Sequence, residues 1–178
     1  MKVVIINGAP GAGKDSFVTM CKDILGEKLV CNVSTVDFVK EVATFCGWGG
    51  LKTPESRKFL SDLKRVLTEW GNVPFYKTLH TIEDFADSLR DDGMYGKGVV
   101  FIHCREPEQI DQFVEEFDYS AVTLLVRRDA AESVEQINDS DNSVLNYSYD
   151  YTVYNNHSLS ALRAQAEVFL REYLELNI

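Results

Sequence analysis

The chain has 178 residues, 45% of them hydrophobic and 26% charged, a length that fits one domain on a prior of about 150 residues each. Its 18 basic and 28 acidic residues leave a net charge of −10. That field repels a phosphate backbone and argues against nucleic acid as a partner, but leaves small phosphate ligands open. Four scattered cysteines without a Cys-x-x-Cys pair argue against a disulfide scaffold, zinc or thioredoxin chemistry. No apolar run approaches the ~18 residues of a membrane span. The N-terminus lacks the pattern of a signal peptide, and the expectation is a cytoplasmic protein with no membrane partner.

Residues 3–6 are a β-branched apolar run closed at once by Asn7 and Gly8, the pattern of a short buried strand. Residues 14–25 then place apolar side chains at 17, 18, 20, 21, 24 and 25, which is helical spacing. A second strand-like run covers residues 29–33. Between it and the next run lies a long helical block, residues 35–92. Within it, residues 54–70 carry Phe59, Leu60, Leu63, Val66, Leu67 and Trp70 on one stripe, with Thr53 placed as N-cap before Pro54. Residues 81–89 read as a further helix opened by Thr81, with Asp84 three on.

The third run, residues 99–102, follows a glycine-rich stretch and leads into a helix over 107–117. A fourth run covers 121–126 and a weaker fifth 151–154. The last helix, 158–176, opens on Ser158 as N-cap, with Leu159, Leu162, Ala166, Phe169, Leu170, Tyr173 and Leu174 facing one way. Strands alternating with helices specify an α/β domain with a parallel sheet. The expected architecture is three layers around five mainly parallel strands in a single domain over 1–178. The block at 35–92 is expected to be a helical lobe inserted over one end of the sheet.

Residues 8–15 read Gly8-Ala9-Pro10-Gly11-Ala12-Gly13-Lys14-Asp15, a complete Gly-x-x-x-x-Gly-Lys frame between a strand and a helix. Glycines let the backbone curl so that successive N–H groups converge on an anion, and the helix adds its positive N-terminal end. The expectation is an ATP phosphate site formed by Gly8, Ala9, Pro10, Gly11, Ala12 and Gly13, with Lys14 reaching the outer phosphates. The motif asks for Ser or Thr after the lysine, whose hydroxyl holds magnesium. Here that position is Asp15, followed by Ser16. Two readings fit: Asp15 holds Mg2+ as a hard oxygen ligand with Ser16 behind it, or it caps the helix.

Asp37 follows the second strand, where crossovers meet ligands in open α/β sheets. It either orients a substrate or caps the helix that starts beside it. Arg105 follows the third strand, at the end that faces the loop. Its guanidinium suits a bidentate grip on phosphate, against the alternative of a surface pair with Glu106 or Glu108. Arg57, Lys58, Lys64 and Arg65 make a basic patch in an acidic chain, either a phosphate-binding face or a solvated face paired with Glu55, Asp62 and Glu69.

The Gly13-Lys14-Asp15 ending of the loop resembles that of the phage-type deoxynucleoside monophosphate kinases and the animal phosphomevalonate kinases, within the nucleoside-monophosphate-kinase-like P-loop group. Ser34-x-x-Asp37-x-x-Lys40 is similar to a pattern after the second strand of that group. Residues 57–71 resemble its acceptor-lobe helix. His103-x-Arg105-x-Pro107 resembles its Asp-x-Arg strand end, with His103 where the group carries Asp.

The resemblance implies a lid near 128–146 whose arginines, here Arg127 and Arg128, cover the transferring phosphoryl group. It also implies that Asn155 and Asn156 touch the adenine base. After Arg128 this lid runs acidic, with no basic residue before Arg163. The implied function is ATP- and magnesium-dependent phosphoryl transfer to a small phosphorylated acceptor, most simply a nucleoside or deoxynucleoside monophosphate. Lys14, Arg105, Arg127, Arg128 and Asp37 would serve the transfer. A phosphorylated alcohol as acceptor, or nucleotide binding without transfer, are the competing readings.

Overall fold

The computed structural model describes residues 1–132 and 144–176. The central strand β1 (Lys2–Asn7) leads through residues 8–13 into helix α1 (Lys14–Leu25), and β2 (Val30–Ser34) follows. Three helices come next, α2 (Asp37–Phe45), α3 (Pro54–Gly71) and α4 (Val73–Asp91), before β3 (Val99–His103) and α5 (Pro107–Glu116). The chain continues through β4 (Val122–Arg127), a single turn α6 (Asp129–Glu132), β5 (Tyr151–Tyr154) and α7 (Leu159–Val168), and closes on a wide π-helical turn, Phe169–Tyr173.

All four strand pairings are parallel, in the order β2-β3-β1-β4-β5. The chain runs outward from β1 to one side, returns to β3, then crosses β1 to β4. The C-terminal end of β1 is therefore the switch point of the sheet, the place where open α/β sheets bind ligands.

Alternation along each strand divides the core. Val4, Ile6, Val99, Phe101, Leu124 and Val126 face one side and pack on Phe17, Val18 and Cys21 of α1 and on Leu162, Ala166 and Phe169. Val3, Ile5, Val100 and Ile102 face the other side and meet Phe75 and Ile82 of α4 and Ile110 and Phe113 of α5. Helices on both faces bury both sides of the sheet, which is why its strands read as continuous apolar runs rather than alternating ones. The expected three-layer α/β architecture with five parallel strands is what forms.

Several expected boundaries move. The helix placed at 81–89 begins at Val73, because Asn72 takes a left-handed backbone (φ 50°) that ends α3, and Pro74 sits in the first turn of the next helix. Thr81 is then mid-helix and returns its hydroxyl to the Lys77 carbonyl at 3.1 Å. The last helix keeps Ser158 as N-cap, its hydroxyl accepting from Ala161 N–H at 3.3 Å, but leaves α-geometry at Phe169. Thr53 caps α3 by accepting from Ser56 N–H at 3.2 Å.

The inserted block divides in two. α4 buries Phe75, Thr78, Ile82, Ala86 and Leu89 and is a layer of the sheet's own core. α2 buries Val39 and Ala43, and α3 buries none of its residues completely. Of the expected lid at 128–146, residues 133–143 lie outside the described part. No helix among the described residues is long and apolar enough to cross a membrane.

β5 is the shortest strand, and a side-chain clasp secures it. The Asp150 carboxylate accepts from both Thr123 N–H (2.8 Å) and Thr123 Oγ1 (2.7 Å), while Asp150 N–H donates to that hydroxyl at 2.9 Å. Thr123 is 3% exposed, so these bonds form largely out of water. Thr123→Val keeps the shape and strips the hydroxyl from both partners. We expect a loss of about 1–2 kcal/mol in urea unfolding, with α-helical circular dichroism unchanged.

Candidate functional site

The loop after β1 curls back on itself as its sequence requires. Gly8 has φ 149° and passes so close to β4 that a Cβ would lie 2.3 Å from the Val126 carbonyl oxygen. Gly13 has φ 101°, and a Cβ there would meet the Asn155 amide at 2.2 Å. A side chain at Gly8 would have to displace the β4 backbone, and one at Gly13 would displace the Asn155 amide and strain a backbone of positive φ. Lys14 folds back over the curl and donates from Nζ to the Gly8 carbonyl at 2.5 Å and to Ala9 at 3.1 Å. That holds one positive charge above a concave run of N–H groups at a helix start, the composition of a phosphate site.

Three neighbours hold the curl from outside. Asn7, at the end of β1, is completely buried. Its Oδ1 accepts from Gly8 N–H at 2.8 Å, and its Nδ2 donates to Tyr149 Oη at 2.8 Å and to the Arg105 carbonyl at 3.3 Å. Tyr149 passes its own proton to the Val144 carbonyl at 2.9 Å, and burial pushes the phenol above its usual range. Asn155 donates from its backbone N–H to Arg127 (2.7 Å) and from Nδ2 to the Ala12 carbonyl (2.9 Å). Asn156 accepts the Asp129 N–H at 2.9 Å. The two asparagines expected at an adenine base thus spend side-chain groups on backbone, shaping the loop and the β4 end.

A cleft of about 580 Å³ opens over the loop, lined by Gly11, Gly13, Lys14, Asp15, Ser16, Arg128, Asn155 and His157. Asp15 makes no capping bond, because the N-cap is Gly13 in a left-handed backbone. Its carboxylate is 92% exposed, which leaves it available at the cleft. Mg2+ keeps several waters and takes one or two carboxylates plus phosphate oxygens. Asp15 and the Ser16 hydroxyl fit that donor set, and no ready-made cage of three acidic, His or Cys groups exists among the described residues.

The expected arginines separate. Arg127 grips Glu132 through Nε (2.9 Å) and Nη2 (2.6 Å) and lies 5.9 Å from the Tyr154 ring centre. The Glu132 hydrogen bonds hold its proton more tightly than usual. Two of its three guanidinium nitrogens are committed to Glu132. Arg128 lies over the loop, its Nη1 reaching the Gly11 carbonyl at 3.5 Å. Arg105 lies one residue beyond the point where Cys104 N–H donates to Ile6 O at 3.4 Å, beside the end of β1. Cys104 is buried, which pushes its thiol up to about 12, and it is packing rather than a nucleophile.

Asp37 departs from one of its two expected roles, the helix cap. It is the first residue of α2 rather than its cap. Its Oδ2 accepts from Ser34 N–H at 2.8 Å and its Oδ1 pairs with Lys40 at 3.1 Å. The carboxylate therefore shapes the β2–α2 turn. His103 sits at the mouth of the site with Nε2 2.8 Å from Asn32 Oδ1 and 3.9 Å from Asp15 Oδ1. Burial depresses its basicity; Asp15 opposes that and Lys14 adds to it. The ring is hydrogen-bonded to the Asn32 amide beside the Asp15 carboxylate.

The basic patch on α3 resolves into different roles. Lys58 pairs with Asp62 (2.5 Å) and Arg65 with Glu69 (3.0 Å) on the surface. Lys64 turns inward, with its side chain 12% exposed, and donates to Glu106 at 2.7 Å and to Thr35 at 3.3 Å. One ammonium thus joins the lobe to the ends of both β2 and β3. The sequence marked Lys64 only as one of four cations; nothing marked Glu106 as its partner, 42 positions away.

No family model and no curated protein matches this sequence. An APS kinase of Mycobacterium tuberculosis in complex with AMPPNP and APS superposes with a TM-score of 0.50 at 13% identity, covering 98% of this chain and 97% of that one. A shikimate kinase of Bacteroides thetaiotaomicron gives 0.49 at 13% identity over 98% and 99% of the two chains. A sugar kinase of Janibacter sp. gives 0.48 at 16% identity over 100% and 99%. The APS kinase likeness shows the fold: an α/β architecture around a five-stranded parallel sheet.

The Lys64–Glu106 pair has a pH signature. Burial raises the Glu106 carboxyl, but the Lys64 charge and hydrogen bond outweigh it and hold the group below its ordinary value. A depressed carboxyl contributes stability that is present above its unfolded pKa, about 4.3, and is lost as pH falls through the folded value. Lys64→Met should cost about 1–3 kcal/mol at pH 7. In urea titrations, the gap between wild type and variant should close as pH falls below about 4. A gap independent of pH would assign the loss to packing.

Proposed function

We propose that this protein is a kinase of a small phosphorylated metabolite, transferring the terminal phosphoryl group of ATP with Mg2+ as cofactor. The observation that carries this reading is the loop at the sheet's switch point, curled by Gly8 and Gly13 and topped by Lys14. The finer reading is a nucleoside or deoxynucleoside monophosphate as acceptor. It rests on the resemblance of the Gly13-Lys14-Asp15 ending and of Ser34-x-x-Asp37-x-x-Lys40 to that group of kinases.

The chemistry asks little of the protein beyond position and charge. An oxygen of the acceptor's phosphate attacks the γ-phosphorus as the bond to the β,γ-bridging oxygen breaks, and ADP leaves. A phosphate monoester has its second pKa near 6, so the attacking oxygen is already anionic at pH 7 and needs no general base. That agrees with a site in which burial lowers the basicity of His103 and both Asp37 oxygens accept hydrogen bonds. The N–H groups of residues 9–14 and Lys14 hold the donor's β and γ oxygens. Arg128, already over Gly11, shields charge on the moving group. Arg105, past the end of β3, approaches from the acceptor side. Asp15 and Ser16 would hold Mg2+, which would supply charge neutralisation to the donor.

A second reading, nucleotide binding without transfer, is favoured by one observation. Arg127 is consumed by Glu132 in the segment where related kinases bring arginines over the phosphoryl group. Turnover with a panel of monophosphate acceptors, from nucleoside monophosphates to phosphorylated alcohols, separates the readings. ATP binding with no turnover on any acceptor selects the second.

Two variants test the site. Lys14→Ala should lower turnover on the order of 10²–10³-fold and weaken ATP in calorimetry. Unchanged ATP affinity would remove the loop from the function. Asp15→Asn should shift the Mg2+ concentration for half-maximal activity upward with little change in fold stability, since Asp15 makes no cap. A magnesium titration superimposable on wild type would assign the metal to other groups.

A further inference from the structure

Helix α3 carries a surface that the proposed reaction does not use. Phe59, Val66 and Trp70 are 41%, 51% and 84% exposed, and with half-buried Leu63 they recur at intervals of four, three and four. At about 100° per residue they fall within about 60° of one another, forming a straight apolar seam. Lys64, which points to the ends of β2 and β3, lies about 100–160° around the helix from every member of that seam. The seam therefore faces away from the cleft. A repeat of this kind is the pattern that seats one helix against another.

The residues beside the seam say which helix. Lys58, Asp62, Arg65 and Glu69 form one charged stripe along its flank, paired in order as Lys58–Asp62 and Arg65–Glu69. The signs run plus, minus, plus, minus. Reversed end to end, the stripe reads minus, plus, minus, plus, so it is complementary to its own antiparallel copy. About a two-fold axis between Leu63 and Lys64, Lys58 of one copy opposes Glu69 of the other, and Asp62 opposes Arg65. In a parallel pairing the two-fold axis would put the two stripes on opposite sides of the helix pair, where they do not meet. The apolar seam reverses equally well, with Phe59 and Leu63 of one copy meeting the Val66–Trp70 half of the other.

We propose that α3 is a self-association surface, and that two copies of this chain pair antiparallel along it. The interface is isologous and closes at two members. It joins the acceptor lobes of the two copies back to back and leaves both clefts open. The contact is one helix pair about 27 Å long, at the small end of specific interfaces, so the dimer forms in the micromolar range rather than as an obligate unit.

The test is sedimentation of the full chain from about 1 to about 100 µM, the range in which an interface of this size associates. The wild type should move from monomer to dimer, and Val66→Glu should raise the dissociation constant at least tenfold with its melting temperature kept. Two charge variants then decide the geometry. Lys58→Glu with Arg65→Glu makes the stripe wholly acidic, and Asp62→Lys with Glu69→Lys makes it wholly basic. Each alone should remain monomeric, and an equimolar mixture should form a 1:1 heterodimer. A wild type monomeric throughout the range overturns the proposal. So does a dimer insensitive to Val66→Glu, or a mixture of the two charge variants that does not associate.

Discussion

The curl between β1 and α1 is the constraint around which the rest of this protein is arranged. A chain that must reverse direction at the central strand's end, with its N–H groups turned inward, leaves no room for side chains at its tightest points. Gly8 slides under the Val126 carbonyl and Gly13 lies against Asn155. Each approach then dictates a neighbour. β4 must end where Gly8 passes, and the β5–α7 connection must deliver Asn155 to Ala12. Asn7 must be a polar residue in the most buried strand because the first N–H of the curl needs an acceptor there.

The same end of the sheet shows how charge is rationed in an acidic protein. Lys14 and Arg128 face the loop, where a phosphate ligand would bring negative charge. Arg127, adjacent in sequence, is removed from that field by a bidentate pair with Glu132. Lys64 is tied to Glu106 and Thr35, so its charge holds the lobe to the sheet. Adjacent cations thus meet unlike surroundings: Arg127 is held by a carboxylate, while Arg128 lies over the loop.

Helix α3 leaves most of an apolar stripe open to solvent. α4, the next helix in sequence, commits its stripe to the sheet core. α3 commits none, holding on through partly buried Leu60, Leu67 and Lys64. Its open seam and alternating charges share one helix.

Local chemistry was legible in the sequence. The five apolar runs, the Gly-x-x-x-x-Gly-Lys frame, the caps at Thr53 and Ser158 and the α/β order all rest on residues close in the chain, whose periodicity and turn preferences act over a few positions. The parallel sheet followed from the alternation of strands and helices. What tertiary structure alone decided is which side chains meet across long separations. Asp37 looked equally like a substrate group or a cap, and its oxygens went to Ser34 and Lys40. Asn155 lies 143 positions from the carbonyl it holds, and Lys64 lies 42 from Glu106. The helical stripe of α3 promised burial, because periodicity shows that a face is apolar and not what will cover it. A hydrogen bond or ion pair depends on a distance between two atoms, and that distance is set by the packing of the whole sheet and its helices.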